Sequence, residues 1–195
     1  MKRLFWACIL LLSGVLGTQT VSMQVAAGIQ PAETSRSAAL EFRLAPDFEL
    51  TDTDGSGIHL SDFRGRVVVL QFWARWCTSC EGDLRAFQEI HQNNSDREVA
   101  ILGLGHGSGS RVEIKRFAQS LGVTFPMLLC TDEVRSDYQV AVFPTTFLID
   151  RRGRIRHRRV GALEAGYWQQ KVEKLIADDG QALGRRFQLF VTRTY

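Results

Sequence analysis

The chain has 195 residues, 45% of them hydrophobic and 23% charged, with a formal net charge of +3. This balance suits one packed domain with extensions and excludes a disordered or fibrous chain. So small a charge, part of it carried by Lys2 and Arg3, gives no electrostatic footprint for nucleic acid.

Lys2 and Arg3 precede an apolar run from Leu4 to Leu16 that only Ser13 and Gly14 interrupt. A charged start followed by an apolar run is the layout of a secretory signal. The run is shorter than the ~20 residues that span a bilayer comfortably. Val25-Ala26-Ala27 is a candidate cleavage site of small-residue type, and Val15-Leu16-Gly17 is another. Residues 1–27 therefore read as a signal peptide or an N-terminal membrane anchor, with a possible tether through residues 4–16. Either places the remainder outside the cytoplasm. Cys8 belongs to this segment. Residues 28–44 are mostly small and polar and read as a linker.

The folded domain is expected over residues 45–178. Phe48, Leu50, Ile58 and Leu60 alternate with polar residues around Asp52-Thr53-Asp54-Gly55, a hairpin pattern. The turn Ser61-Asp62-Phe63-Arg64-Gly65 leads into an apolar, β-branched strand, Val67 to Trp73. Cys77-Thr78-Ser79-Cys80 follows, and Leu84, Phe87 and His91 then recur on one helical face. Val99 to Leu104 reads as a second buried strand. Gly105-His106-Gly107-Ser108-Gly109 reads as a flexible turn, because its glycines do not have dinucleotide-binding spacing. Ile114, Phe117, Ala118 and Leu121 mark an amphipathic helix that Gly122 ends.

Met127 to Cys130 is a third short strand, with Cys130 as a small apolar core residue. Asp132 to Tyr138 reads as a short helix. Thr145 to Asp150 and Ile155 to Val160 form a hairpin around Arg151-Arg152-Gly153. The arginines at 151, 152, 154, 156, 158 and 159 read as a charged edge that deters strand pairing. Trp168, Val172, Leu175 and Ile176 lie on one face of a last helix. Residues 179–195 form a C-terminal tail in which Phe187 to Val191 is a candidate strand. Strands alternating with helices, then a hairpin and a helix, give an α/β fold with a mixed central sheet.

A strand that delivers Cys-x-x-Cys to the start of a helix is a redox device. Unpaired helix N–H groups and the helix dipole favour a thiolate on the first cysteine. The second lies one turn on, close enough to close a disulfide. Cys77 is the expected attacking thiol and Cys80 the resolving one. A free cysteine titrates near ~8.5, and this placement brings it towards or below ~7. Trp76, directly before Cys77, is expected to shield the pair and offer an apolar surface to a partner; Trp73 reads as core. His59, His91, His106 and His157 lack metal-ligand spacing, so no metal is expected. The dithiol is itself the redox carrier, so no cofactor is required.

The element order and the motif resemble the thioredoxin fold, a three-layer α/β/α sandwich, here with an N-terminal β-hairpin extension. More narrowly, residues 45–178 resemble the extracytoplasmic TlpA/ResA/CcmG group of thiol–disulfide oxidoreductases. The resemblance rests on Ala45-Pro46-Asp47-Phe48, Leu60 to Gly65, Gln71 to Cys80 and Phe143-Pro144-Thr145-Thr146-Phe147-Leu148-Ile149-Asp150. It implies a reductase of extracytoplasmic protein disulfides, including haem-site cysteines of apocytochrome c, fed by a membrane thiol electron donor. It also implies that Pro144 follows Phe143 through a cis peptide bond and faces the cysteine pair.

Three positions depart from the related patterns. Gln71 stands where cytoplasmic thioredoxins carry a buried aspartate, and an amide exchanges no proton at ordinary pH. Asp83 stands where the group usually has glutamate. It reads either as a proton acceptor of shorter reach or as a solvated acid favoured by the helix dipole. Ser79 replaces the proline that often precedes the second cysteine.

Two other functions fit parts of the pattern. A peroxiredoxin-like thiol peroxidase would share the opening segment, but Trp73 and Cys77 stand where that family places proline and threonine ahead of its cysteine. A non-catalytic thiol metal-binding module or copper chaperone would use the pair as ligands. Related copper chaperones separate their cysteines by three residues, not two.

Overall fold

A computed structural model describes residues 43–94, 98–162 and 166–178. The signal or anchor at 1–27, most of the linker and the tail at 179–195 lie outside these residues.

The chain begins with an antiparallel hairpin, β1 (Glu49–Thr51) and β2 (Gly57–His59), with Leu50 opposite Ile58. The Asp52 carboxylate closes its turn by accepting from the backbone N–H groups of Asp54 and Ser56. A 3-10 turn, Leu60–Phe63, leads to β3 (Val67–Trp73). All seven β3 residues are buried, as expected of a strand covered on both faces. Next come α1 (Thr78–Asn93), β4 (Val99–His106), α2 (Arg111–Leu121), β5 (Met127–Cys130) and α3 (Asp132–Asp137). The hairpin β6 (Thr145–Ile149) and β7 (Ile155–Val160) follows, and residues 166–178 form a closing helix, α4.

The main sheet has the order β5-β4-β3-β6-β7. β3 is parallel to β4 and β4 to β5; β6 and β7 are antiparallel to their neighbours. Both parallel crossovers step the same way across the sheet, and their right-handedness puts α1 and α2 on one face. There Val67, Val69 and Trp73 pack with Leu84, Phe87, Ile114, Ala118 and the α4 residues Trp168 and Val172. On the opposite face Val68, Leu70 and Phe72 meet Phe48, Leu50, Val134, Tyr138 and Phe147. The buried Tyr138 hydroxyl donates to the Pro46 carbonyl at 2.7 Å, and burial raises its pKa well above the usual phenol value.

Local signals set both ends of α2, and Gly122 ends it where the sequence suggests. Ser110 caps α2, its hydroxyl accepting from Glu113 N–H while the Glu113 carboxylate reaches back to Ser110 N–H. Gly122 closes the helix in the left-handed conformation at φ 71°.

Two segments differ from their sequence reading. Arg43 and Leu44, assigned to the linker, belong to the fold. The Arg43 carbonyl accepts from Ile155 N–H, and Leu44 bridges to Arg154. β4 also runs two residues further than expected, through Gly105 and His106.

Gly82 stands inside α1 with open space where a Cβ would project. Gly82→Ala should therefore stabilise the domain by about 0.5–1 kcal/mol, read as a higher urea midpoint. A lower midpoint would mean that this backbone position needs glycine for a reason beyond helix propensity.

Candidate active site

The C-terminal end of β3 carries the chain into a short loop, Ala74 to Trp76, and then into α1. Cys77 is the N-cap residue of that helix, in an extended backbone conformation, and Cys80 lies in the first turn. Cys77 N–H donates to the Ala74 carbonyl, and Cys80 N–H donates to the Cys77 carbonyl, both at 3.0 Å. These bonds fold the loop tightly enough to bring the sulfurs together, and the two cysteines form a disulfide. Cys77 retains 6% exposure and Cys80 none. Of the two, only Cys77 keeps any contact with solvent. Once the pair is reduced, Cys77 sits at the positive end of the α1 dipole. The Ser79 hydroxyl lies 3.5 Å from its sulfur, and a thiolate there can only accept its proton.

The rim is aromatic. Trp76 is 72% exposed and meets Phe143 edge to face at 5.8 Å. His106, at the end of β4, stacks on Phe143 at 5.7 Å. The Phe143–Pro144 peptide bond is cis. The Pro144 carbonyl accepts from Gly161 N–H, which ties this corner to the end of β7.

Beneath the pair, Asp83 is 1% exposed. The solvated placement is thus not the one the fold adopts, because the helix turns this residue inward, onto the face that also carries Cys80. From β3, the buried Gln71 amide donates through Nε2 to Asp83 Oδ2 at 3.5 Å.

The loop holding Arg75 and Trp76 is braced by residues that the sequence reading treated as a flexible turn. Ser108 is buried; its hydroxyl oxygen accepts from Arg75 N–H at 3.0 Å and its proton goes to the His106 carbonyl. The Arg75 guanidinium pairs with Glu113 at 2.9 Å. Hydrogen bonds from Ser110, and then Arg75, hold the Glu113 carboxyl below the usual range. No local motif announces this brace. Within α2 the brace leans on the Ser110–Glu113 capping box.

Cys130 lies apart from this site. It is partly buried, its thiol donates to the Thr131 carbonyl, and burial pushes its pKa up to about 12, so it is not a reactive thiol. The late arginines are engaged within the fold. Arg156 pairs with Asp150, Arg158 donates to the Gln139 carbonyl, and Arg159 lies over Tyr167. Among the described residues no group of three or more His, Cys, Asp or Glu side chains is placed to hold a metal ion, and no helix is long and apolar enough to cross a membrane.

The model of the AhpC/TSA family matches residues 43–158. The chain is 36% identical over 131 residues to the thiol-disulfide oxidoreductase ResA of Geobacillus kaustophilus, covering 67% of this chain and 75% of that protein. It is 33% identical over 143 residues to ResA of Geobacillus thermodenitrificans, covering 73% and 82%. Among solved structures it resembles a putative thiol:disulfide interchange protein DsbE from Chlorobium tepidum. The TM-score is 0.64 at 25% identity, over 70% of this chain and 97% of that one. The thioredoxin-like fold agrees with these relatives. The chain belongs to the AhpC/TSA family and is a thiol–disulfide oxidoreductase of thioredoxin-like fold.

Proposed function

We propose that the protein reduces disulfides of extracytoplasmic proteins by dithiol exchange through Cys77 and Cys80. The single observation that carries this reading is the Cys77–Cys80 disulfide at the N-terminus of α1, with only Cys77 retaining exposure. In the reduced protein the Cys77 thiolate attacks one sulfur of a client disulfide. The client S–S bond breaks, a mixed disulfide forms on Cys77, and one client thiolate leaves. Cys80 then gives its proton to the Asp83 carboxylate and attacks the Cys77 sulfur. The mixed disulfide breaks and the second client thiolate leaves. Two electrons have passed to the client, whose two thiolates take up the proton held by Asp83 and one from solvent.

Asp83 suits the acceptor role because it is buried three residues after Cys80, on the same face of the helix. Trp76 and Phe143 offer the client an apolar surface beside the reacting sulfur, next to the cis-Pro144 corner. The exported location rests on the signal-like layout of residues 1–27, which also offer a membrane tether. The membrane thiol donor, and haem-site cysteines of apocytochrome c as clients, rest on the resemblance of residues 45–178 to the TlpA/ResA/CcmG group.

Trapping tests the reading. Cys80→Ala should accumulate a mixed disulfide between Cys77 and an exported client, which mass spectrometry of the linked peptides identifies. If no client is captured while the wild type consumes peroxide rapidly without any disulfide substrate, the protein is a thiol peroxidase instead.

A further inference from the structure

Gln71 is wholly buried on the helix-facing side of β3, and the two ends of its amide are treated differently. Nε2 donates to Asp83 Oδ2 at 3.5 Å. Oε1 is buried and accepts no hydrogen bond among the described residues. Leaving a buried carbonyl oxygen without a donor is costly, so this orientation needs a reason. Asp83 supplies one. A carboxylate can only accept, and it therefore requires the NH₂ end of the amide. A protonated Asp83 has an O–H to donate and requires the oxygen end. A half-turn about the last side-chain bond of Gln71 exchanges the two ends without moving the strand.

We propose that Gln71 is a positioning residue of the resolving step, whose amide donates to the Asp83 carboxylate before Cys80 is deprotonated and turns to accept from the Asp83 acid afterwards. This rests on the reading of Asp83 as the proton acceptor. The proton moves from the Cys80 sulfur to Asp83, the Cys80–Cys77 bond forms, and the bond to the client breaks; Gln71 exchanges hydrogen bonds only. The side chains around Gln71 leave the switch to this pair. β4 places Gly103 beside it, β6 places Thr146 beside it and Leu148 further along the same face, and α4 contributes Trp168 to that core. None of these titrates. α1 contributes Asp83 itself and the cysteine pair. A buried amide at this strand position keeps a second acid out of it.

The test uses the full chain with a peptide thiol preloaded on Cys77 as a mixed disulfide, and follows peptide release against pH. Gln71→Met keeps the volume and removes both hydrogen-bonding ends. Without the N–H donor the ionised carboxyl is disfavoured, so the half-maximal pH of release should rise by about one unit, and release below it should slow about tenfold. In an Asp83→Asn background the same change should slow release less than about twofold, because the partner it acts through is gone. An unmoved profile, or equal slowing in both backgrounds, overturns the proposal. A second measurement needs no variant. In labelled wild-type protein the Gln71 side-chain amide resonances should shift with the same midpoint as the Asp83 carboxyl carbon, and a static amide is contrary evidence. Capture of a client disulfide by Cys77, read in parallel, separates the two ideas. Without capture the function itself fails; with capture and an unmoved profile, only the role of Gln71 fails.

Discussion

Cys77→Ser should abolish turnover of a protein disulfide, with a loss of at least about 10³-fold, while the domain stays folded. The loss is large because a hydroxyl is scarcely ionised at neutral pH, so the attacking anion disappears. Cys80 cannot substitute, being wholly buried. The cost to stability is small by comparison. By the chain-entropy relation, a cross-link closing so short a loop constrains the unfolded chain by at most about 2 kcal/mol. Reduction of insulin by dithiothreitol, with and without the protein, measures the activity, and a urea titration measures the fold. Cys80→Ala should fail differently: the first attack proceeds, the mixed disulfide accumulates, and turnover stops unless an external thiol releases it. A Cys77→Ser protein retaining a tenth of wild-type activity would remove Cys77 from the mechanism.

The sequence made the site legible where local chemistry and fold agree. The run Val67 to Trp73 could only be a strand covered on both faces, and the two cysteines at its end mark the helix that follows. The last hairpin was equally plain, since Arg151-Arg152-Gly153 offers a turn between the apolar run Thr145 to Ile149 and the strand Ile155 to Val160. What stayed hidden depends on partners distant in sequence. Gly105 looked like loop material because glycine weakens strands, yet β4 continues through it. A Cβ at Gly103 would strike the Met127 sulfur at 2.5 Å and one at Gly105 the Trp73 ring at 2.9 Å, so these glycines make room for side chains that lie across the strand. Ser108 gave no signal because its role exists only once the β4 loop meets Arg75. The burial of Asp83 was undecidable for a related reason. An acid near a helix N-terminus can face water or core, and only the packing of α1 on β3 chooses.

That packing also depends on α4, and Trp168→Ala should be among the most damaging core substitutions in the domain. The Trp168 ring is wholly buried, packs on Phe87 of α1 with centroids 5.7 Å apart, and meets Tyr167 at 5.2 Å. Truncating a buried tryptophan to alanine costs about 3–5 kcal/mol through lost burial and the cavity left behind, a large part of the roughly 5–15 kcal/mol that holds a typical domain together. The indole Nε1 is buried and donates to no acceptor among the described residues. Its removal relieves an unmet hydrogen bond and puts the expected loss near the lower end, about 3 kcal/mol. Trp168→Phe isolates the two contributions, since it keeps most of the apolar contact with Phe87 and discards only the unmatched N–H and part of the volume. Its cost should stay below about 1.5 kcal/mol. Urea titration of the full-length variants checks both, with the midpoint falling and the slope unchanged if the native packing alone is affected. A Trp168→Ala loss under about 1 kcal/mol would mean that α1 stands on the sheet without α4. The redox pair would then be positioned by β3, Ser108 and the Arg75–Glu113 brace alone, and the closing helix would have no part in holding Cys80 over Asp83.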